Sequence, residues 1–228
     1  MCGRYTLHQV ILVQRRFEVL REIELMPSYN VAPGQIMPVI VRNSTNAIEL
    51  MKWGLVPAWV KDPGMGSSMI NARAETIADK PAFRDAFRRR RCLVPSNGFY
   101  EWKREGRRRI PMFIRPKDQE LFAFAGLYER WRDEHGVDHM TYSIITTQPN
   151  GVVRAIHDRM PVILERADEA EWLDGGITDV GRLQRLLVPY PSEQTEAYQV
   201  SDCVNSPMNN TPALLEPVTQ LAITFPGE

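Results

Sequence analysis

The chain has 228 residues, of which 43% are hydrophobic and 25% are charged, and its formal net charge is zero. This composition is typical of a globular protein that buries roughly 70% of its unfolded surface. The zero net charge argues against sequence-independent binding along duplex DNA, because such binding needs many cations. The sequence has neither an apolar run long enough to span a bilayer nor a secretory signal pattern, so we expect a cytosolic protein without a membrane partner.

The first predicted elements are a helix and a β-hairpin. Val13, Phe17 and Leu20 recur at helical spacing and predict an amphipathic helix over residues 10–25. The stretch "MPSYNVAPG" then breaks this helix. Two β-rich runs follow, "IMPVIVRN" and "AIELMKWGLVP", and the polar residues 43–46 predict the loop between them.

A second helix is predicted over residues 81–90, with Phe83 and Phe87 facing inward and arginines at its C-terminal end, where cations suit the helix dipole. Four strands follow in stretches rich in β-branched and aromatic residues: "CLVPSNGFYEWK", "RIPMFIRP", "LFAFAGLYERW" and "MTYSIITTQ". Turns are predicted at residues 105–106 and 134–136. The stretches "EAEWLDGG" and "VGRLQRLLVPYP" predict two short late helices.

This order of elements predicts an α+β fold. Consecutive short strands joined by tight turns favour an antiparallel, partly closed sheet with the helices at its periphery. The sequence has no internal repeat, no low-complexity linker and no change in composition that marks a boundary, so we expect one domain over residues 1–228.

The three cysteines are too few and too irregularly spaced for a disulfide framework or a Cys-x-x-Cys zinc site. Cys92 lies in the apolar stretch "RCLVP", and we expect both Cys92 and Cys203 to be small residues of the core. Cys2 differs from them because it becomes the N-terminal residue when Met1 is removed. Methionine aminopeptidases accept a small second residue, so we expect this removal.

A chain that begins with Cys2 carries an α-amine and a thiol close together on one residue. The α-amine titrates near pH ~7.7–8.0 and is partly unprotonated at neutral pH, unlike a lysine amine. It can form a Schiff base with an aldehyde, and the thiol can then close a thiazolidine ring. A small residue at the start of a strand is the simpler explanation of Cys2, so the other motifs must decide.

Four stretches place polar residues within apolar or turn-forming surroundings, where a buried polar group needs a partner or a function. They are "INARAET", with Asn71, Arg73 and Glu75; "NGFYEWK", with Glu101; "IHDRMPVIL", with His157, Asp158 and Arg159; and "VNSPMNNTP". Taken alone, each has a structural explanation, since Asn71 fits a helix cap, Glu101 an ion pair and His157 a core imidazole.

Taken together with Cys2, these residues supply what aldehyde chemistry on a sugar requires. Glu101 fits the acid–base group that opens the ring of an abasic deoxyribose, and His157 fits the proton donor for dehydration of the carbinolamine. The Asn71 amide can orient the amine or the sugar oxygens. This set needs neither a metal nor a cofactor.

Arginines are the candidate phosphate ligands. Arg4 and Arg73 offer forked donors that match phosphate oxygens. Further arginines cluster in "FRDAFRRRRC" and "EWKREGRRRIP", namely Arg88, Arg89, Arg90, Arg91, Arg104, Arg107, Arg108 and Arg109. Two interpretations fit this cluster equally: a solvated helix end followed by a hairpin tip, or a local phosphate-binding face.

Seven stretches run in one order over nearly the whole chain: "MCGRY", "YNVAPG", "WGLVPAW", "INARAET", "NGFYEWK", "IHDRMPVIL" and "VNSPMNNTP". On these stretches the sequence resembles the SRAP family (SOS response-associated peptidase), whose members crosslink to abasic sites in single-stranded DNA. The resemblance implies an α+β fold of antiparallel strands that form a pseudo-barrel. It also implies single-stranded DNA with abasic sites as the partner, and therefore association with the nucleoid when DNA is bound.

The resemblance implies roles for individual residues. Cys2 matches the crosslinking nucleophile, and Glu101 matches the glutamate assigned to opening of the sugar ring. His157 matches the histidine of Schiff-base chemistry and crosslink reversal, and Asn71 matches the asparagine that positions the reacting group. The residues that match positions lining the DNA channel are Arg4, Asn30, Pro33, Trp59 and Arg73.

One position departs from the family pattern. Some bacterial members have two tryptophans where this chain has Trp59 and Val60. An aromatic pair can stack on a terminal base or separate a duplex end, whereas valine cannot stack. The sequence therefore leaves open whether the protein prefers a junction between single-stranded and duplex DNA.

Three other functions can be considered from the sequence. Cys2 with His157 as base fits a peptidase of the N-terminal-nucleophile type. A non-covalent reader of modified DNA would leave the thiol unused, and a denaturing gel separates it from a crosslinking protein. His135 and His139 have the spacing of a metal-binding helix, but Gly136 predicts a hairpin loop there instead of a metal site.

Overall fold

The computed structural model describes residues 2–21 and 23–218. Within these ranges twelve strands form two sheets. The strands are β1 (Tyr5–Leu7), β2 (Ser28–Val31), β3 (Ile36–Arg42), β4 (Asn46–Trp53), β5 (Asn71–Arg73), β6 (Arg91–Ser96), β7 (Gly98–Glu105), β8 (Arg108–Pro116), β9 (Phe122–Arg132), β10 (Asp138–Thr147), β11 (Met160–Pro161) and β12 (Thr195–Gln199).

The helices are short. The α-helices are α1 (Val13–Arg16), α2 (Arg84–Arg89), α3 (Gly151–Arg154), α4 (Glu169–Leu173) and α5 (Val180–Gln184). The 3-10 helices are Val10–Leu12, Pro63–Ser68, Asp202–Asn205 and Pro212–Leu215. Among the described residues, every helix is too short or too polar to cross a membrane.

Five strands close into a barrel. They pair in the order β4, β3, β6, β9 and β10, and β10 then pairs with β4 to complete the ring. This closing pair is parallel, with Thr141 opposite Lys52, whereas the other pairs of the ring are antiparallel. β5 and β11 pair with the C-terminal part of β10. This arrangement confirms the predicted α+β fold of mainly antiparallel strands in a barrel-like sheet.

The second sheet has the strand order β12, β8, β7, β1 and β2, and aromatic rings join it to the barrel. The Tyr5 hydroxyl of β1 lies 2.8 Å from the Tyr142 hydroxyl of β10. The Trp53 ring of β4 contacts both tyrosine rings. Each such pair contributes roughly 0.5–1.5 kcal/mol beyond area burial, so β1 is firmly held where the two sheets meet.

Most predicted strands and turns are confirmed. β3 ends at Arg42 and β4 begins at Asn46, which leaves the hairpin loop where it was expected. Gly106 and Gly136 have φ angles of 61° and 79° at the two other predicted turns, in the left-handed region that glycine adopts without strain. The late helices are present as α4 and α5, and α5 ends earlier than predicted.

The predicted N-terminal helix is wrong over most of its length. A 3-10 turn and α1 together end at Arg16, and Glu18 then has a φ of 54°, which an α-helix cannot contain. Val13 and Phe17 are buried as expected, but Leu20 is 83% exposed. Glu22, also within the predicted helix, lies outside the described residues. The spacing of apolar residues predicted a helix that continues past Glu18, where the backbone is not helical.

Three further predictions need correction. The helix predicted over residues 81–90 begins only at Arg84, and Phe83 is half-buried whereas Phe87 is fully buried. Cys92 is buried as predicted, but Cys203 is exposed because Val204, its neighbour in a 3-10 helix, faces the core instead. Strands β2, β5, β11 and β12 are short or polar and were not predicted. The single strand predicted in "CLVPSNGFYEWK" is two strands, β6 and β7, which lie in different sheets.

The arginine cluster divides between solvent and core. Arg104, Arg107, Arg108 and Arg109 lie on or beside the turn between β7 and β8, as in the hairpin-tip interpretation. Arg91 is only 5% exposed, and its guanidinium donates to the carbonyl oxygens of Phe87, Arg88, Trp172, Asp174 and Ile177. This side chain joins the end of α2 to the end of α4, so it is structural.

Candidate functional site

Cys2 lies immediately before β1 and is fully buried. Strand β1 is paired on both sides, with Tyr5 opposite Val31 of β2 and opposite Phe99 of β7. The pairing fixes Cys2 beside β7. Burial raises the pKa of the Cys2 thiol, and the nearby Glu101 carboxylate raises it further. The thiol is therefore protonated at neutral pH.

Glu101 projects from β7 and is 3% exposed. Burial in this position raises the pKa of its carboxyl group from 4.5 to about 7. Both the acid and the carboxylate are then populated near neutral pH, which is the condition that general acid–base catalysis requires. Alternation along β7 puts Glu101 on the same face as the buried Phe99, so its depth follows from strand geometry.

His157 follows α3 and faces Glu101 from the barrel side. Its Nε2 atom lies 4.0 Å from Oε2 of Glu101. Its Nδ1 atom accepts a hydrogen bond of 3.1 Å from the backbone N–H of Arg159. In the neutral imidazole that bond places the proton on Nε2, toward Glu101. Burial lowers the pKa of His157, and the neighbouring Asp158 carboxylate opposes this shift.

An ion pair holds the His157 segment in place. The Arg159 guanidinium donates to both carboxylate oxygens of Glu75, at 2.6 and 2.9 Å, and to the Thr146 carbonyl oxygen at 2.6 Å. The Arg159 hydrogen bond lowers the pKa of Glu75, so the pair is charged at neutral pH. This pair connects the two stretches "INARAET" and "IHDRMPVIL". Both residues lie in motifs noted in the sequence, and their pairing gives them a structural role.

Asn71 begins β5, which pairs in parallel with β10. Its Nδ2 atom donates to the Ile144 carbonyl oxygen at 3.4 Å. Its Oδ1 atom is buried and accepts no hydrogen bond from the described residues. A buried amide oxygen that still has its accepting capacity can bind a donor on a substrate. The alternative of a helix cap is wrong, since Asn71 lies on a strand.

Arg4 and Asn30 form a polar network with the C-terminal segment. Arg4 Nη1 donates to Asn30 Oδ1 at 2.7 Å and to the Val204 carbonyl oxygen at 2.9 Å. Asn30 is 1% exposed, and its amide nitrogen donates to the carbonyl oxygens of Val204, Ser206 and Asn209. Both residues thus hold the "VNSPMNNTP" stretch against β1 and β2. Contact of Arg4 and Asn30 with DNA stays a prediction.

Pro33, Trp59 and Arg73 are exposed. Pro33 lies in the turn between β2 and β3, and Trp59 is 65% exposed. Val60 is buried against Trp131, whose indole N–H donates to the Val60 carbonyl oxygen at 2.7 Å. Trp59 is therefore exposed, and the residue that follows it is a buried valine that cannot stack on a base.

A groove of about 690 Å³ extends beyond Pro33. Its walls include Trp53, Trp131 and the cationic Lys52 and Lys61. Cys2, Glu101 and His157 are not among its lining residues. The groove therefore shares Pro33 with the residues predicted to contact DNA.

The histidines considered for metal binding lie on the hairpin between β9 and β10, as predicted. His139 Nε2 is 2.8 Å from Asp133 Oδ2, and its ring contacts Trp131. His135 lies in the turn, exposed to solvent. Among residues 2–21 and 23–218, no group of three or more His, Cys, Asp or Glu side chains is arranged to hold a metal ion.

Known proteins of similar sequence match most of this chain. The abasic site processing protein YoqW of Bacillus subtilis (strain 168) is 50% identical over 222 residues, which cover 95% of this chain and 99% of YoqW. The abasic site processing protein HMCES of Xenopus tropicalis is 32% identical over 219 residues, which cover 82% of this chain and 64% of HMCES.

A solved structure has the same fold. The crystal structure of a Bacteroides thetaiotaomicron protein matches with a TM-score of 0.89 and 32% identity, covering 96% of this chain and all of that one. The family described as SOS response associated peptidase (SRAP) matches residues 1–207. This match spans both sheets and every residue of the reaction pocket, and the chain therefore belongs to the SRAP family.

Proposed function

We propose that this protein processes abasic sites in DNA, and that it does so by crosslinking Cys2 covalently to an abasic site in single-stranded DNA. The observation that carries the proposal is a cluster of side chains, in which a buried thiol lies near a carboxyl group whose pKa is about 7. His157 lies 4.0 Å from that carboxyl group. The relatives named as abasic site processing proteins support the same class of substrate.

The first step acts on the sugar. An abasic deoxyribose is a closed hemiacetal, and opening it moves a proton from the anomeric hydroxyl to solvent or a base while the ring oxygen gains one. Glu101 is suited to both transfers because its acid and carboxylate forms coexist near pH 7. Ring opening exposes the aldehyde that the amine needs.

The second step forms the Schiff base. Once Met1 is removed, the α-amine of Cys2 adds to the aldehyde carbon and gives a carbinolamine. His157 donates the proton with which the hydroxyl group leaves as water, and a C=N bond forms. The buried Oδ1 atom of Asn71 supports a role in orienting the amine or a sugar hydroxyl through a hydrogen bond.

The third step closes the thiazolidine ring. Sγ of Cys2 adds to the carbon of the C=N bond, the π electrons move to nitrogen, and the thiol proton transfers to that nitrogen with Glu101 as carrier. The raised pKa of the thiol keeps it protonated until this point, so the amine attacks first. The sum of all steps is the loss of one water.

Three exposed residues are the proposed DNA contacts. Arg73 offers a guanidinium for phosphate, and Trp59 and Pro33 offer apolar surfaces on which a base can rest. With one exposed tryptophan at this surface, we infer binding to single-stranded DNA without a strong preference for a duplex junction. We place this activity in the cytoplasm, at the nucleoid when DNA is bound.

Intact-mass spectrometry tests processing and crosslinking together. The protein is incubated with a single-stranded oligonucleotide that contains one abasic site, and then heated in detergent. We expect loss of Met1 and an adduct whose mass is that of the protein plus the oligonucleotide minus one water. Absence of this adduct, or equal adduct with an undamaged oligonucleotide, would contradict the proposal. A non-covalent reader gives no adduct, and a peptidase gives fragments instead.

A further inference from the structure

Nδ1 of His157 lies near one hydrogen-bond donor and one hydrogen-bond acceptor. The backbone N–H of Arg159 donates to it at 3.1 Å, which requires a lone pair on Nδ1. Oδ1 of Asp158 lies 2.8 Å from the same atom and can only accept, which requires a proton on Nδ1. The neutral ring satisfies the first neighbour and the protonated ring satisfies the second. Nδ1 of His157 therefore has a favourable neighbour both with and without a proton.

The side chains of Asp158, His157 and Glu101 are progressively less exposed to solvent. The side chain of Asp158 is 86% exposed, that of His157 is 27% exposed and that of Glu101 is 4% exposed. Nε2 of His157 lies 4.0 Å from Glu101, a length typical of catalytic pairs before substrate binds. A buried acid that must lose and recover protons needs such a connection to water.

We propose that Asp158 is the outer end of a proton relay that exchanges protons between solvent and Glu101 through His157. The proposal rests on the crosslinking function proposed above, which requires Glu101 to change its protonation state. Asp158 does not touch the sugar in this scheme and acts only through the imidazole. It is thus a positioning residue that stabilises the imidazolium and delivers its proton.

In one cycle the relay brings one proton in from solvent and returns one proton to solvent. After Glu101 has protonated the sugar it is a carboxylate, and His157 carries its proton on Nε2. A proton from solvent passes by way of Asp158 to Nδ1, the bond from the Arg159 N–H breaks, and the Nε2 proton moves to Glu101. The ring then carries its proton on Nδ1. Before Glu101 next acts as a base, its proton returns to Nε2 and the Nδ1 proton leaves through Asp158 to solvent. Glu101 is then a carboxylate again, and the ring again carries its proton on Nε2.

The surrounding charges are consistent with this direction of transfer. The charge of the N-terminal amine and that of Arg104 of β7 disfavour the imidazolium, and Asp158 favours it. The Arg159 guanidinium is held by Glu75 and does not compete for the Asp158 carboxylate. Asp158 thus supplies the carboxylate beside the outer nitrogen, as Glu101 does beside the inner one.

The first test measures the pKa of His157 directly by NMR titration. The chain has four histidines, so their ring signals can be assigned by single substitutions. We expect Asp158→Asn and Asp158→Ala to lower the pKa of His157, because they remove the charge that favours the imidazolium. Asp79→Ala, which removes an exposed carboxylate elsewhere, should leave it unchanged. An unchanged His157 pKa in both Asp158 variants would overturn the relay whether or not the protein crosslinks DNA.

The second test measures the single-turnover rate of crosslinking in a buffer without carboxylic acids. We expect Asp158→Ala to be slower on the order of tenfold, less than the ~100-fold loss typical of a group that touches the substrate. Added formate or acetate should restore the rate in proportion to its concentration, since a small acid can occupy the place of the lost carboxyl group. The parent protein and Asp79→Ala should not respond to the added acid.

The outcomes separate the two proposals. A parent protein that forms no adduct overturns the crosslinking function, and the relay with it. An active parent with an equally fast Asp158→Ala variant overturns the relay alone. A slow variant that acetate does not restore also overturns the relay, because it shows a structural role. Asp158 is exposed, so loss of folding does not complicate these comparisons.

Discussion

The Cys2 pocket and the cluster around Arg91 both bury polar side chains, but they treat the buried charge differently. Arg91 is buried with its donors directed at five carbonyl oxygens, and it stays charged. Glu101 is buried more deeply, and there burial outweighs the interactions that favour the carboxylate, so that its pKa rises to about 7. Arg91 therefore keeps its proton at neutral pH, whereas Glu101 can gain or lose its proton there.

The difference shows how a fold separates stability from chemistry. The Arg91 cluster fastens helices α2 and α4 to the outside of the barrel, far along the chain from Cys2. The pocket instead lies where the two sheets meet, and Tyr5 and Tyr142 secure that joint. Substitutions around Arg91 should therefore change the free energy of unfolding, and substitutions around Cys2 should change the rate of crosslinking.

The largest expected effect is loss of the stable adduct in Cys2→Ser. The variant keeps the α-amine and can form the Schiff base, but a hydroxyl is a poor group for closing the ring. We expect an adduct only when borohydride is added, as measured on a denaturing gel. A chain with one residue added before Cys2 is the matched control and should give no adduct under either condition. A heat-stable adduct from either chain would exclude the aminothiol mechanism.

Arg91→Lys should destabilise the fold by about 3 kcal/mol, because lysine cannot reach several carbonyl groups at once and leaves buried acceptors unpaired. Urea unfolding measures this change, and Arg88→Lys, at a neighbouring exposed position, should stay within about 0.5 kcal/mol. The crosslinking rate of folded Arg91→Lys should equal that of the parent. A rate loss without a stability loss would place Arg91 in the functional site.

Glu101→Gln should show the opposite pattern. Loss of the acid–base group should slow adduct formation by ~100-fold or more, whereas the neutral amide is as easily buried as the carboxylic acid. Single-turnover kinetics and urea unfolding on the same sample give both values. A variant that reacts at the parent rate would remove Glu101 from the mechanism.

The raised pKa of Glu101 also predicts a pH-dependent stability. A carboxyl group with a folded pKa of about 7 and an unfolded value of 4.5 binds its proton more tightly in the folded state. Its contribution therefore favours folding below pH 4.5 and is lost as pH rises from 4.5 through about 7. The loss should be on the order of 3 kcal/mol. Subtracting the unfolding free energies of Glu101→Gln at each pH isolates it, and a flat difference would contradict the raised pKa.

The sequence predicted the strands of the barrel better than the contacts that hold the candidate catalytic residues in place. Long runs such as those of β9 and β10 carry enough apolar and β-branched residues to identify strands, and glycines mark their turns. Strand β5 has three residues and no apolar pattern, and its place is decided by pairing with β10. The pairing of Glu75 with Arg159 joins residues 84 positions apart, and nothing local in the sequence predicts it.

Burial was equally hidden in the sequence. The motifs identified Cys2, Glu101 and His157, but the pKa of Glu101 depends on a depth that only the tertiary fold sets. The same holds for Arg91, which has the same sequence surroundings as the exposed Arg88 and Arg89. One arginine of that run is turned inward because β6 begins there and places it under α4.

The smallest expected effect concerns the exposed arginines. Arg73→Ala should lower the slope of log K against log salt for single-stranded DNA by roughly one unit, because one phosphate contact and its released counterion are lost. Arg108→Ala, at the hairpin tip between β7 and β8, should change the slope less. Arg4→Ala sharpens the comparison, since Arg4 binds Asn30 and Val204 and should lower stability as well as affinity. Fluorescence anisotropy at several salt concentrations, beside urea unfolding, separates the three variants. An unchanged slope for Arg73→Ala would move that residue from the DNA surface to the structural group that Arg91 represents.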